Sequence, residues 1–141
     1  MFELFISILI FYNYIPDLPG FIVDGEIVIE EPEPTPVIAD HWLRLADCES
    51  GDWDANANPI PGSARWDYGA PGGFTHAGFE QFHGGLNFHP DTWSWVAPMV
   101  GVESKYAYQA SPEDQVRVGE KTQELQGWKA WPVCSKKIGL R

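Results

Sequence analysis

The 141-residue chain is short of positive charge, of cysteine and of any long unbroken apolar run. It holds 9 Lys and Arg against 20 Asp and Glu, a net charge of −11. With no basic patch to neutralise phosphates, nucleic-acid binding is excluded, and an acidic surface is repelled by anionic lipid headgroups. Only two cysteines occur, Cys48 and Cys134, and no Cys-x-x-Cys pair or Cys/His ligand spacing accompanies them, so no metal is expected. The opening MFELFISILIFYNYIP is broken by Glu3 and Asn13 and stopped by Pro16, short of the roughly 20 apolar residues a spanning helix needs. It also lacks the positive charge and the small-residue cleavage site of a secretory signal. A leader or membrane anchor is therefore not the favoured reading.

What the chain does have is unevenly spread. Residues 1–43 contain eight acids and no Lys or Arg, whereas residues 44–141 carry nine bases against twelve acids. All seven Trp fall between Trp42 and Trp131. The chain thus reads as an apolar, acidic arm at 1–39 followed by a nearly neutral, Trp-rich domain at 40–141, long enough for one packed core. In the arm, Asp24-Gly25 between Phe21-Ile22-Val23 and Ile27-Val28-Ile29 is a two-residue hairpin signal, because a type I′ turn needs residues that tolerate positive φ. Both strands are apolar on consecutive residues, so both faces call for burial, either on the chain's own domain or in another protein. The acidic, Pro-rich Glu30–Pro36 reads as an extended spacer and favours a protein partner for residues 1–30.

The domain reads as α+β, mainly helical, with an irregular loop and β lobe in its middle. Asp40 is placed to cap a helix over His41–Glu49, with Trp42, Leu45 and Ala46 on one face and Gly51 as its stop. Ser111-Pro112-Glu113-Asp114 combines an N-cap, Pro at N1 and an acid at N3, predicting a helix to about Gln126 that ends at Gly127. His89-Pro90-Asp91 starts a shorter helix expected to end before Pro98. The Gly-rich residues 54–88 predict loops and a short hairpin.

The most informative stretch is HWLRLADCESGDW, residues 41–53. It sets one glutamate, Glu49, at the C-terminal end of a helix, ahead of a Gly turn and Trp53. The negative end of the helix dipole and an aromatic wall both raise a carboxyl pKa, which suits a general acid; a solvated surface glutamate is the plain alternative. Cys48 and Cys134 read either as two buried thiols or as a bridge closing a loop of about 90 residues, a cross-link of about 4–5 kcal/mol on the chain-entropy model.

Three separated segments, WLRLADCESGDW (42–53), GGLNFHPDTW (84–93) and QGWKAWPVCS (126–135), together resemble the catalytic domain of the resuscitation-promoting factors, lysozyme-like peptidoglycan-cleaving proteins of actinobacteria. The intervening NPIPGSARWDYG (58–69) is similar to a longer variant in actinobacterial and actinophage wall-degrading proteins. The resemblance covers residues 41–135 and leaves the arm out. It implies a lysozyme-like fold, Glu49 as the catalytic glutamate, and Cys48 with Cys134 as a disulfide. Trp53, Gly85, Leu86, Phe88 and Trp93 match cleft-shaping positions, and Trp128 and Trp131 match an aromatic pair before the second cysteine. Asn87 stands where the common pattern has Gln, and the stretch between Trp53 and Gly84 is longer than usual.

The implied substrate is the peptidoglycan glycan strand, cut at the bond between N-acetylmuramic acid and N-acetylglucosamine with no cofactor. Trp53, Trp66, Asn87 and Trp93 are the candidate sugar contacts, while Trp42 and Trp131 read as core. Asp52, Asp54, Asp67 and Glu80 are candidate second acids with no motif behind them. His76, His83 and His89 with Glu80 are too irregularly spaced for a metal site. The working expectation is an extracellular lytic transglycosylase or muramidase, favoured as a virion tail component. A secreted or anchored wall enzyme and a non-catalytic binding module are the rivals.

Overall fold

The computed structural model describes residues 20–23, 26–29 and 37–141. The chain divides into two units, Met1–Thr35 and Pro36–Arg141. In the first, strands β1 (Gly20–Val23) and β2 (Glu26–Ile29) pair antiparallel, with Gly20 opposite Ile29 and Val23 opposite Glu26. The opening apolar run, the Asp24-Gly25 turn and the Pro-rich spacer lie outside the described residues.

The second unit is mainly helical. Helix α1 spans Asp40–Ser50, α2 Pro90–Val96, α3 Pro112–Gln126 and α4 Cys134–Lys137, joined by 3-10 turns at Ala97–Val100, Ala107–Gln109 and Gly127–Ala130. Helix α3 forms where local chemistry asks for it. The Ser111 side chain accepts from the Asp114 N–H at 3.1 Å, Pro112 opens the helix, and Gly127 ends it at φ +68°, a conformation that costs Gly little. Its buried positions, Gln115, Val118, Gly119 and Thr122, recur at helical spacing.

Two local expectations need correction. Asp40 is the first helical residue of α1, not its cap; the cap position is Ala39, which offers no side-chain acceptor, and Asp40 instead pairs with Arg44 at 3.9 Å. Helix α2 ends at Val96, before Pro98 as expected, and a 3-10 turn follows with Pro98 in its first turn, where a missing N–H costs nothing. The middle lobe holds no strand, only the isolated bridges Trp53 to Pro59 and His83 to Phe88. Its backbone groups are satisfied by turns and by side chains of α1, which removes the need for a sheet.

The core joins α1, the 84–88 turn, α2, α3 and the 128–134 segment. Trp42 packs edge-on to Trp131 at 5.6 Å, Phe88 edge-on to Trp93 at 5.1 Å, and Leu45, Leu86, Val96 and Val118 are fully buried among them. A buried amide, Gln115, links loop to helix: its Oε1 accepts from the Gly85 N–H at 2.8 Å, and its Nε2 donates to the Trp66 and Ala110 carbonyls at 2.9 and 3.1 Å. With every group paired, this polar contact inside the core carries little desolvation penalty.

Candidate active site

The last turn of α1 organises the site. Gly51 follows it with an N–H to the Asp47 carbonyl at 3.1 Å, and a Cβ at Gly51 would lie 2.3 Å from Ser63 Oγ, so the loop can cross here only over glycine. Cys48 is bonded to Cys134, which fastens α1 to α4. Glu49, half-buried, lines a cleft of about 590 Å³. The 130–134 segment lines that cleft with Trp131, Val133 and Cys134, the 76–82 loop lines it with His76, Phe79 and Phe82, and Trp53 and Asn87 complete the lining.

Asn87 reaches the site because the 84–88 turn is clamped on both sides. Gln115 holds Gly85, and the Trp131 indole N–H donates to the Leu86 carbonyl at 2.8 Å. The turn places Asn87 at φ +51°, a left-handed conformation that Asn tolerates better than most residues. The Asn87 amide N–H donates to the backbone carbonyl of Glu49. Burial drives the Glu49 carboxyl from its ordinary 4.5 up to about 7, against a smaller downward pull from the Asn87 amide. A carboxyl held half-protonated near neutrality can deliver a proton and take it back.

Among the cleft-lining residues no second carboxylate appears. Asp52 is exposed and paired with Arg65 at 2.8 Å; the exposed Asp54 accepts the N–H groups of Asn56 and Asn58, at 2.9 and 2.8 Å, and its pKa is lowered by these bonds. Glu80 accepts the Gly78 N–H at 3.0 Å, and Asp67 is exposed. His89 caps α2 through Nδ1, and no described group of three His, Cys, Asp or Glu residues is placed to hold a metal.

Of the five candidate catalytic and sugar-contact residues, the structure brings together Glu49, Asn87 and Trp53, the last 39% exposed. Trp93 lies elsewhere. It is 1% exposed in the core, and its indole N–H donates to the Ser104 carbonyl at 2.8 Å. Trp66 is also outside the cleft, half-buried against the backbone of Gly85, where a Cβ would lie 2.5 Å from its ring. Both are spent on packing that shapes the site.

Sequence reading missed two groups. The aromatic wall of Phe79 and Phe82 was signalled only by the density of Phe and His in a Gly-rich loop. Asp47, buried, accepts the N–H groups of Gly62 and Ala64 at 2.9 Å each, and Ser50 accepts that of Arg65 at 3.0 Å. Nothing local to ADCES marks those bonds.

Residues 74–134 match the family model for a transglycosylase-like domain. The chain is 38% identical over 102 residues, 72% of its length, to resuscitation-promoting factor Rpf of Micrococcus luteus, and 40% identical over 101 residues, 70% of its length, to Rpf1 of Corynebacterium glutamicum. It is 32% identical over 110 residues, 77% of its length, to RpfE of Mycobacterium tuberculosis. The matched regions cover 34%, 40% and 49% of those relatives, so the chain corresponds to between a third and a half of them. The chain carries a transglycosylase-like domain of the resuscitation-promoting-factor, lysozyme-like type.

Proposed function

We propose that the domain is a lytic transglycosylase or muramidase that cuts peptidoglycan between N-acetylmuramic acid and N-acetylglucosamine, with Glu49 as acid and then base. The observation that carries the reading is a lone carboxyl in a mostly apolar cleft, raised to about 7 by burial. Protonated Glu49 donates to the glycosidic oxygen, the C1–O bond breaks, and an oxocarbenium-like centre develops at C1. The Glu49 carboxylate then takes the proton of the C6 hydroxyl as that oxygen closes on C1, giving a 1,6-anhydro sugar and restoring protonated Glu49. If the carboxylate deprotonates a water instead, the product is a reducing end. Ordinary glycosidases set a second carboxylate about 5–9.5 Å from the first; the absence of one among the cleft-lining residues supports the single-glutamate scheme.

The disulfide supports an extracellular place of work, since such bonds persist in oxidising surroundings. The uneven charge supports it too: the near-neutral domain can approach an anionic wall polymer. Residues 1–30 we assign to a protein partner, as in a virion tail that opens the host wall; the acidic, Pro-rich spacer supports that part of the reading. Deleting residues 1–36 should then free an active domain from its particle, whereas recovery of the full chain in membrane fractions would favour an anchored enzyme.

The direct test is Glu49→Gln on purified peptidoglycan, with mass spectrometry of the released fragments. Loss of turnover is expected, and wild-type turnover by the variant would overturn the role of Glu49. Anhydro-muramyl ends from the wild type indicate transglycosylation, reducing ends hydrolysis, and no fragments a binding module.

A further inference from the structure

The chemistry proposed for Glu49 uses one side of the cleft and leaves the loop-borne side without a role, although that side is firmly built. Phe79 is 52% exposed yet faces the cleft together with Phe82 and His76. A single exposed Phe is ordinary; two with a histidine, turned into the cavity that holds a perturbed carboxyl, form an apolar surface of one kind. Successive turns fix their order, with the Phe79 N–H on the His76 carbonyl and the Phe82 N–H on the Phe79 carbonyl, both at 3.0 Å. The His76 N–H donates to the hydroxyl of the fully buried Tyr68 at 2.7 Å, and Phe74 meets His76 edge-on at 4.8 Å. Behind Phe74 the Arg65 guanidinium stands 4.2 Å from the ring, and Arg65 itself donates to the Ser50 carbonyl at 3.1 Å. The wall is thus tied, through Arg65, to the residue that follows Glu49.

A surface of aromatic faces and edges suits a ligand with its own apolar C–H faces and flat, uncharged amide groups. An N-acetylated hexosamine has both. We infer that Phe79 and Phe82, carried with His76 on the 74–83 loop, form a sugar-binding wall that holds the apolar face of an N-acetylated hexosamine beside Glu49. This rests on the glycan-cleaving function proposed above and adds to it the residues that set affinity. Contacts of this kind exist before and during bond cleavage alike, so they lower KM without changing kcat.

The test separates binding from chemistry by working in the full chain with Glu49→Gln, which removes cleavage. The probes are insoluble purified peptidoglycan and a soluble N-acetylglucosamine hexasaccharide. Adding Phe79→Ala should weaken binding about five- to tenfold, while Phe79→Trp, which keeps an aromatic face, should bind within about twofold of its parent. Trp95→Ala is the control, because Trp95 is equally exposed but lies off the cleft; it should leave binding unchanged. With Glu49 intact, Phe79→Ala should raise KM by the same factor and leave kcat alone. Equal binding by Phe79→Ala and its parent overturns the wall, as does an equal loss with Phe79→Trp or Trp95→Ala. If the binding order holds but the wild type releases no fragments, the Glu49 chemistry falls and the wall stands. If fragments are released and the binding order is flat, the wall alone falls.

Discussion

Replacing Glu49 by Gln should reveal itself in folding as clearly as in turnover. Burial lifts the Glu49 carboxyl from 4.5 to about 7 in the native state, while in the unfolded chain it ionises at its ordinary value. Between those two values the native state keeps a proton that the unfolded state has released, so native stability falls as pH rises. The contribution is complete below 4.5 and is lost as pH climbs through about 7. At about 1.36 kcal/mol per tenfold change, the loss amounts to roughly 3 kcal/mol. Gln has nearly the same shape and does not ionise. The variant should match the wild type near about pH 4 and exceed it by roughly 3 kcal/mol near about pH 8. Urea unfolding read by Trp fluorescence reports the right unit, because every Trp lies between residues 42 and 131. The other titrating groups cancel between the two proteins, provided their m values agree. A difference that stays flat with pH, or that favours Glu at the alkaline end, refutes the burial argument. The same ionisation should produce a fall in kcat/KM above about pH 7, where the general acid is lost.

Other expectations follow from single contacts. Trp93→Ala should cost about 3–5 kcal/mol as a core truncation, whereas Trp53→Ala should cost under about 1 kcal/mol and weaken glycan binding; thermal melts and pull-down on peptidoglycan separate the two. Replacing Cys48 and Cys134 together by Ser should remove about 4 kcal/mol from the denaturant-derived stability. Asp47→Asn should cost about 1.5–3 kcal/mol by weakening the charge-assisted bonds from Gly62 and Ala64, with faster hydrogen exchange appearing first at those two amides. Asn87→Gly keeps the left-handed backbone and removes the amide that pulls Glu49 down, so the alkaline limb of the pH–rate profile should move to higher pH.

The elements that could be read from the sequence are those whose causes are local. Helix α3 is specified by a cap, a proline, an acid and a terminal glycine within its own span, and its bounds follow from them. Helix α1 is legible from Trp42, Leu45 and Ala46, but its first residue is set by backbone geometry at Ala39, which has no side-chain signature. The middle lobe reads as partly β, yet its backbone is held by Asp47 and Ser50, more than ten residues away, which no local pattern records. The motifs single out Glu49 and Asn87, which line the cleft, and the two cysteines, which are bonded to each other. Indoles suit sugars, which favours Trp66 and Trp93 for the cleft, yet shape decides otherwise: Gly85 leaves room for Trp66 to lie on the backbone, and Ser104 offers the buried N–H of Trp93 its acceptor. Composition shows that indoles are available, and only packing shows which are free.

The four residues that end α1 explain why so small a domain can hold a defined cleft. Successive helix positions are turned by about 100°, so residues 47–50 sweep nearly a full turn and residues three apart share a side. Asp47 and Ser50 accordingly both grip the 62–65 segment, one accepting the Gly62 and Ala64 N–H groups and the other that of Arg65. Between them Cys48 is bonded to Cys134, which lines the cleft with Trp131 and Val133, and Glu49 is left to face the space enclosed. One helical turn therefore fixes the 62–65 segment, from which Arg65 meets Phe74 of the aromatic loop, together with the segment that carries Trp131 and the carboxyl itself. A single-residue insertion upstream in α1, which would rotate all four side chains by about 100° at once, should abolish the cleft more completely than the loss of any one of them. The position of Glu49 is thus a property of the turn as a whole, and its raised pKa follows from walls that the same turn holds in place.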